Sequence, residues 1–599
     1  MKRFYTPTLI GRTHVLYLSL TIVSACLIIN QLSTVSTLSF DSIDNIYATN
    51  SNNSSPLSNP IFPPFLPSNN IAKQSPIGVN TTSSELPEIR REINTTPVSG
   101  VSKPDCIDYN STKMAITISC NMTLPELAVA VNNSKAIRNE TSEEGSWILN
   151  SSLMIQEGAT LKISADDGVK TLKITPGNMT TQQSYNSGDN GQHGIRVFGS
   201  LDVNGTKVIS WDPINEKVVG QNGNGMIPRP YIVVEPGADP SSITNSELAY
   251  LGYNSSRKQG LNMYGGEGTI LKGNKIHDLW FGFSSVDVGH IIIQNNSIYN
   301  NIQYGIDPHS GSHDIVVKAN DITNNTNGLV CSKDCYNLVF EENQIHNNSE
   351  VGIMFSRNVS DSVARNNNIS GSYIGISASG SHDNNIYENT VSGGRHGLQL
   401  EDGSSNNFMN NNTIADTLEC GLDLNEGRNN TLFYNTIYST DNKGICLSQG
   451  AQDNRLHSNL IDSPERYGIS VKDQDTIDNI FVNNTLRLAD NGIELNNNTD
   501  TIFVNNNLYE IKDFQYTISD NSTLNLEKSP SVNHKIRSIG LANNSIDIED
   551  SGKVILVITD DEEGVTDPYV IKTPVHDSDV SPYIKKLSPA TIIEISSIP

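Results

Sequence analysis

A glycine followed by an apolar residue returns every 22 to 24 residues through the middle of the chain. The pairs are Gly282-Phe283, Gly305-Ile306, Gly328-Leu329, Gly352-Ile353, Gly375-Ile376, Gly397-Leu398, Gly421-Leu422, Gly444-Ile445, Gly468-Ile469 and Gly492-Ile493. A second column keeps the same beat, an asparagine two places before an aliphatic residue. It runs Asn274, Asn296, Asn320, Asn343, Asn367, Asn389, Asn412, Asn435, Asn459 and Asn484. A period of this length is that of a solenoid, whose units bury their apolar rows only by stacking on neighbours. Leucine-rich repeats share the period but need several leucines and a helical half per unit. Here the apolar bursts are short and β-type, as in Ile315-Val316-Val317 and Leu338-Val339-Phe340, with Asn, Gly, Ser and Asp between them. The pattern predicts an all-β fold, a parallel β-helix over residues 236–512. The asparagine column is expected to stack coil on coil and bond the neighbouring backbone.

The flanks read differently. Lys2, Arg3 and Arg12 precede an apolar run from Val15 to Ile29, so residues 1–32 read as a signal peptide or an N-terminal membrane anchor. Residues 33–104, rich in Ser, Asn, Thr and Pro, read as a disordered linker. Residues 105–235 read as an N-terminal cap and first coils, with a short helix at Leu124 to Val131. Trp147 to Ile163 reads as strand, turn, strand. Residues 513–599 lose the period and read as a C-terminal β cap or module, built on segments such as Val554-Ile555-Leu556-Val557-Ile558. Cys106 and Cys120 flank a short apolar segment and suit a disulfide in an oxidising compartment. Cys331 and Cys335 suit a local one, and the cysteine spacings make no convincing zinc site. Sequons at Asn94, Asn121, Asn150, Asn178 and Asn204 fit an exported glycoprotein, although a chain so rich in Asn, Ser and Thr makes many by chance. Together these point to an extracytoplasmic protein: secreted, periplasm-like or at the cell surface, and acting as a monomer. The net charge of -25 argues against binding nucleic acid. It also requires that any anionic partner be drawn by a local basic groove.

One coil breaks the pattern. Where its neighbours carry small or neutral residues, Tyr304-Gly305-Ile306-Asp307-Pro308-His309 sets an acid and an imidazole two positions apart, just after a tyrosine. Side chains alternate along a strand, so Ile306 and Pro308 are expected inside, and Asp307 and His309 outside. The outward columns of the next two coils bring Ser332 and Ser356, each followed by a cation, Lys333 and Arg357. Stacked about 4.8 Å apart, these coils would line one groove. The set suits abstraction of the C5 proton of a uronic acid. A cation neutralises the sugar carboxylate. His309 and Tyr304 are candidates for base and acid. Asp307, too acidic unless shifted, is assigned to orienting His309 or a substrate hydroxyl. Taken alone, an Asp-x-His pair on a strand is most often a solvated face, and Lys333 and Arg357 most often surface charges. His313, His346, His382 and His396 lack such company and read as surface or turn residues.

The stretch Asn301 to His313, with Trp280-Phe281-Gly282-Phe283 before it, resembles the active-site signature of mannuronan C5-epimerases, closest to the periplasmic type. Gly328-Leu329-Val330-Cys331-Ser332-Lys333-Asp334 and Gly352-Ile353-Met354-Phe355-Ser356-Arg357 extend the likeness, which covers roughly residues 230 to 460. The resemblance implies a right-handed parallel β-helix that inverts D-mannuronate to L-guluronate within the polymer. It implies His309 as base, Tyr304 as partner acid or base, and Asp307 as supporting carboxylate. Lys333 stands where the periplasmic type has a neutralising arginine, and Arg357 aligns with another basic residue. Ser310 replaces an acid that often follows the histidine. Lysine for arginine loses bidentate pairing. The motif requires no cofactor and assigns no metal ligand. The calcium-dependent secreted type carries an acid about where Ser332 falls, so calcium stays an open option that the sequence does not support. The expected partner is an anionic polysaccharide. A polysaccharide lyase on the same scaffold and a non-catalytic surface solenoid or adhesin are the alternatives.

Overall fold

The computed structural model describes residues 103–177, 192–221, 227–498 and 500–527, and five further strands between 533 and 597. The signal or anchor, and nearly all of the linker, lie outside the described residues. Among the described residues no helix is long and apolar enough to cross a membrane.

The repeat region coils as a right-handed solenoid with three parallel sheets. Each coil carries one six-residue strand, such as Tyr304–His309, and two three-residue strands, such as Val316–Lys318 and Asp321–Thr323. The residue after each repeated glycine stacks on its equivalents: Phe283 on Ile306, Ile306 on Leu329, Leu329 on Ile353, Ile353 on Ile376. A second row, Ile298, Ile322, Ile345 and Ile369, stacks on the third sheet. Both rows are fully buried. The glycine between them is required by proximity, not by backbone angle. A Cβ at Gly305 would lie 2.7 Å from the Gly328 carbonyl oxygen and 2.8 Å from Ile322 Cγ2.

The turn between the second and third strands repeats as a left-handed residue followed by a buried asparagine. Ala319 (φ 52°) precedes Asn320, and Glu388 (φ 55°) precedes Asn389. Each asparagine joins three coils. Asn389 Nδ2 donates to the Ala364 carbonyl at 2.8 Å and to Asn412 Oδ1 at 3.0 Å. Its Oδ1 accepts from the Asn367 main-chain nitrogen and from Asn367 Nδ2, both at 3.0 Å. The ladder runs unbroken from Asn274 to Asn506, so the expected stacking is present. Two further ladders exist that the sequence reading did not separate. One is Asn301–Asn325–Asn348, and the other is Asn384–Asn407–Asn430–Asn454–Asn479.

The sheets also extend past the readable repeat. Ile116, Leu153, Ile195, Ile232 and Leu261 already stack in parallel on the long-strand sheet. The beat is hidden there because early coils carry long excursions: Leu201 and Ser241, 40 residues apart, are hydrogen-bonded neighbours, against 22 for Asn274 and Asn296. The helix Leu124–Val131 forms where expected, closed by a capping box between Thr123 and Glu126, with Leu124 and Leu127 buried. Trp147 to Ile163 divides into three strands, Ser146–Leu149, Ser152–Ile155 and Thr160–Ser164. At the other end, Asn533–Ile539, Lys553–Thr559 and Ile592–Ser597 pair in parallel with one another and continue the long-strand sheet. The residues read as a C-terminal cap therefore contribute further rungs of the same sheet.

Replacing Asn389 by Ala would strand the Asn367 donors, the Ala364 carbonyl and Asn412 Oδ1 in a buried ladder. We expect a loss of about 3–5 kcal/mol by urea denaturation. Asn429→Ala, at an exposed turn, should cost about 1 kcal/mol or less.

Candidate active site

Tyr304–His309 lies in the middle of the long-strand sheet. Asp307 aligns with Ser284 and His309 with Val286 on one side; Tyr304 aligns with Asn327 and His309 with Ser332 on the other. Ser332 in turn aligns with Ser356. Lys333 and Arg357 are the first residues past their strands, and both are left-handed (φ 73° and 60°). The backbone therefore leaves the sheet there. Arg357 turns back by one coil, its Nε 3.1 Å and a terminal nitrogen 2.6 Å from Ser332 Oγ. A guanidinium thus sits on the residue in register with His309. The Lys333 carbonyl accepts from the Gly311 main-chain nitrogen at 3.0 Å, so its turn packs on the one that follows His309. A disulfide between Cys331 and Cys335 closes that turn.

Asp307 departs from expectation. It occupies an outward position by register but is only 4% exposed. Burial raises its carboxyl well above the usual range, while the Arg357 charge pulls it down. Burial likewise pushes the half-buried Tyr304 phenol above its ordinary range, with Asp307 and Glu350 adding to the rise and Arg357 opposing it. Asp307 and Arg357 thus act on the Tyr304 phenol in opposite senses. Ser332 and Ser356 are also nearly buried, at 7% and 8% exposure, so the outer wall is more closely packed than strand alternation alone implies. His309 keeps partial exposure, and its Nδ1 lies 2.5 Å from Ser310 Oγ. Asp307 was expected to orient His309 or a substrate hydroxyl; the hydroxyl on His309 Nδ1 belongs to Ser310, the residue standing where an acid often follows the histidine.

Three neighbours were missed. Phe281 meets the Tyr304 ring edge-on at 4.8 Å between centroids. Asn327 holds Glu350, its Nδ2 donating to the carboxylate at 2.8 Å. Phe281 and Asn327 share the Tyr304 column, the position just before the repeated glycine, so the repeat itself carried that signal.

Farther along the same outer face the charge changes sign. Glu419 and Asp423 stand 3.6 and 3.4 Å from His396, which is buried and not the surface residue expected, and Glu401 ends the His396 strand. Burial holds the His396 imidazole down at about 4, helped by Arg395 and opposed by Glu419. Burial lifts Asp423 to about 6. His313 stacks on Tyr336 at 5.0 Å and pairs with Asp314, a turn role in keeping with its sequence reading.

The model of the right handed beta helix region matches residues 229–367 and 354–486. The mannuronan C5-epimerase of Pseudomonas aeruginosa is 25% identical over 209 residues, covering 33% of this chain and 35% of that protein. That of Pseudomonas fluorescens is 27% identical over 155 residues, 23% of this chain and 28% of the relative. The matched region thus spans about a third or less of these relatives. Among solved structures, the periplasmic alginate epimerase AlgG is 19% identical with a TM-score of 0.42, covering 66% of this chain and 84% of that one. The A-module of the Azotobacter vinelandii epimerase AlgE4 is 13% identical with a TM-score of 0.28, covering 74% of this chain and 91% of that one. The resemblance read from the Tyr304–His309 stretch is therefore met by curated relatives carrying that family's name.

Asp307 bears a stability cost that depends on pH. Its folded-state affinity for a proton exceeds that of the unfolded chain, so wild-type stability falls as pH rises from about 4 toward the raised folded value. Asp307→Asn should therefore melt higher than wild type at neutral pH, by on the order of one to a few degrees. The difference should vanish below about pH 4, where both chains carry a neutral side chain. Paired thermal melts across pH check this.

Proposed function

We propose that the protein is an extracytoplasmic polyuronate C5-epimerase acting on a polymer such as polymannuronate. The observation that carries this reading is the register of His309 with Ser332, on whose hydroxyl the Arg357 guanidinium rests, with Tyr304 and Asp307 in the same strand as His309. The proton at C5 of a uronate is weakly acidic. Its removal leaves negative charge delocalised into the sugar carboxylate, which needs a cation at that oxygen pair. Arg357 and Lys333 supply cations at the turns beside the strand. His309 removes the proton. Tyr304, kept protonated by its surroundings, returns one to the opposite face. Asp307, with its raised proton affinity, can meet the developing oxyanion as a hydrogen-bond donor, as a neutral carboxylic acid does. Ser332 keeps the Arg357 guanidinium from swinging free. The curated relatives supply the substrate class. The disulfides Cys106–Cys120, Cys331–Cys335 and Cys420–Cys446 support an oxidising, extracytoplasmic location.

Incubated with polymannuronate in heavy water, the full chain should place deuterium at C5 without shortening the polymer. His309→Ala and Tyr304→Phe should each lower that exchange by about 10²–10⁴-fold. An unsaturated product absorbing in the near ultraviolet would instead identify a lyase. Undiminished exchange in His309→Ala would remove the proposed base.

A further inference from the structure

Two to four coils beyond the Arg357 turn, the outer face holds a second cluster of chemically versatile side chains. His396 aligns with Cys420, and Gln399 with Asp423. Cys446 aligns with Asp423 on the next coil and is disulfide-bonded to Cys420. Stacking does here what sequence spacing alone did not suggest. A ring nitrogen of His396, Cys420 Sγ and a carboxylate oxygen of Asp423 all lie within 4.8 Å of one another. The three residues are 7%, 7% and 8% exposed.

The cluster is not satisfied internally. His396 Nδ1 is buried without a hydrogen-bond partner; Asp423 Oδ2 stands 3.4 Å away but is not aligned to it. Gln399 Oε1 is also unpartnered, while its Nε2 donates to Asp423 Oδ2 at 3.1 Å and fixes that carboxylate. A buried nitrogen left without a partner beside an anchored carboxylate demands a reason. Two donor groups face a common volume and do not bond each other, and the third donor that would complete a metal-binding set is held in a disulfide.

We propose that His396, Cys420 and Asp423 form a binding site for a zinc-class divalent metal ion, closed in the oxidised chain by the Cys420–Cys446 disulfide and opened by its reduction. A dithiol reductant supplies two electrons and two protons; the Cys420–Cys446 bond breaks to two thiols and the reductant becomes a cyclic disulfide. Cys420 then loses its proton to solvent as the metal binds. An imidazole, a thiolate and a carboxylate are the nitrogen, sulfur and oxygen donors zinc accepts, with water or the Cys446 sulfur for a fourth position. Calcium and magnesium prefer all-oxygen sets, so the sulfur and nitrogen select against them. One thiolate and one carboxylate neutralise a divalent cation, which suits a buried position. The site does not depend on the reaction proposed for His309.

Cobalt(II) is the probe, with the full-length chain. In Cys446→Ser, which frees only Cys420, we expect one cobalt ion per chain without reductant, seen as a thiolate-to-cobalt charge-transfer band and tetrahedral ligand-field absorption. Oxidised wild type should show neither. Adding His396→Ala to Cys446→Ser should weaken cobalt binding by about 100-fold or more. A folded Cys446→Ser chain without the band, or an equal band after His396→Ala, would overturn the site. Should Cys446→Ser fail to fold, dithiol-reduced wild type is compared with reduced Cys420→Ser. A band lost in Cys420→Ser supports the site; equal bands in both, or none in either, overturn it.

Discussion

The spacing of the coils rests on buried amides that bond their equivalents and the backbone of the coils above and below. In the ladder from Asn274 to Asn506, each internal side chain accepts from the main chain and the amide of one neighbouring coil and donates to the next. A polar group so deep in the stack is costly if one partner moves. The ladder therefore tolerates neither a slipped coil nor a shifted register. The long-strand sheet inherits that constraint. Glycine at the position before the apolar residue lets the Ile322 methyl and the Gly328 carbonyl approach within contact distance of the same point. Together the amide ladder and the glycine contact hold outer-wall residues distant in sequence, such as His309 and Ser332, in fixed opposition.

How much of this was legible depended on whether a residue recurred. Gly305 and Asn320 could be read because each is one member of a column, and a column exposes its function by repetition. The early coils carry the same sheets but lengthen the repeat, to 40 residues between Leu201 and Ser241, so a fixed period overlooks them. The rungs past residue 527 lack both columns and reveal themselves only as β segments. In the site, the shared face of Tyr304, His309 and Arg357 followed from register, and their roles came from the resemblance. The burial of Asp307 did not follow from register, because alternation says which way a side chain starts and not what folds over it. The contact of Ser310 with His309 and the reach of Arg357 back to Ser332 depend on left-handed turn residues, φ 39° at Ser310 and 60° at Arg357. Nothing in their residue types announces those angles. The pairing of Cys420 with Cys446 spans 26 residues, a little over one coil, and needs both the period and the column of each cysteine.

Asp307 shows why such a scaffold can carry chemistry. A nearly buried carboxyl whose proton affinity is raised by its surroundings is a liability to folding, and an isolated strand would relieve it by turning the side chain to water. That exit is closed here. Rotating the strand by one residue would expel Ile306 from its stack between Phe283 and Leu329 and drive Gly305 out of its contact with Ile322. The many small interactions of the solenoid interior thus over-determine the position of one unfavourable group. The Arg357 charge offsets part of the burden without removing it, which leaves Asp307 able to bind a proton where an ordinary surface aspartate would not. A rigid stack permits this because each coil is held by two neighbours. The cost of burying Asp307 is therefore offset by the packing of the coils on either side.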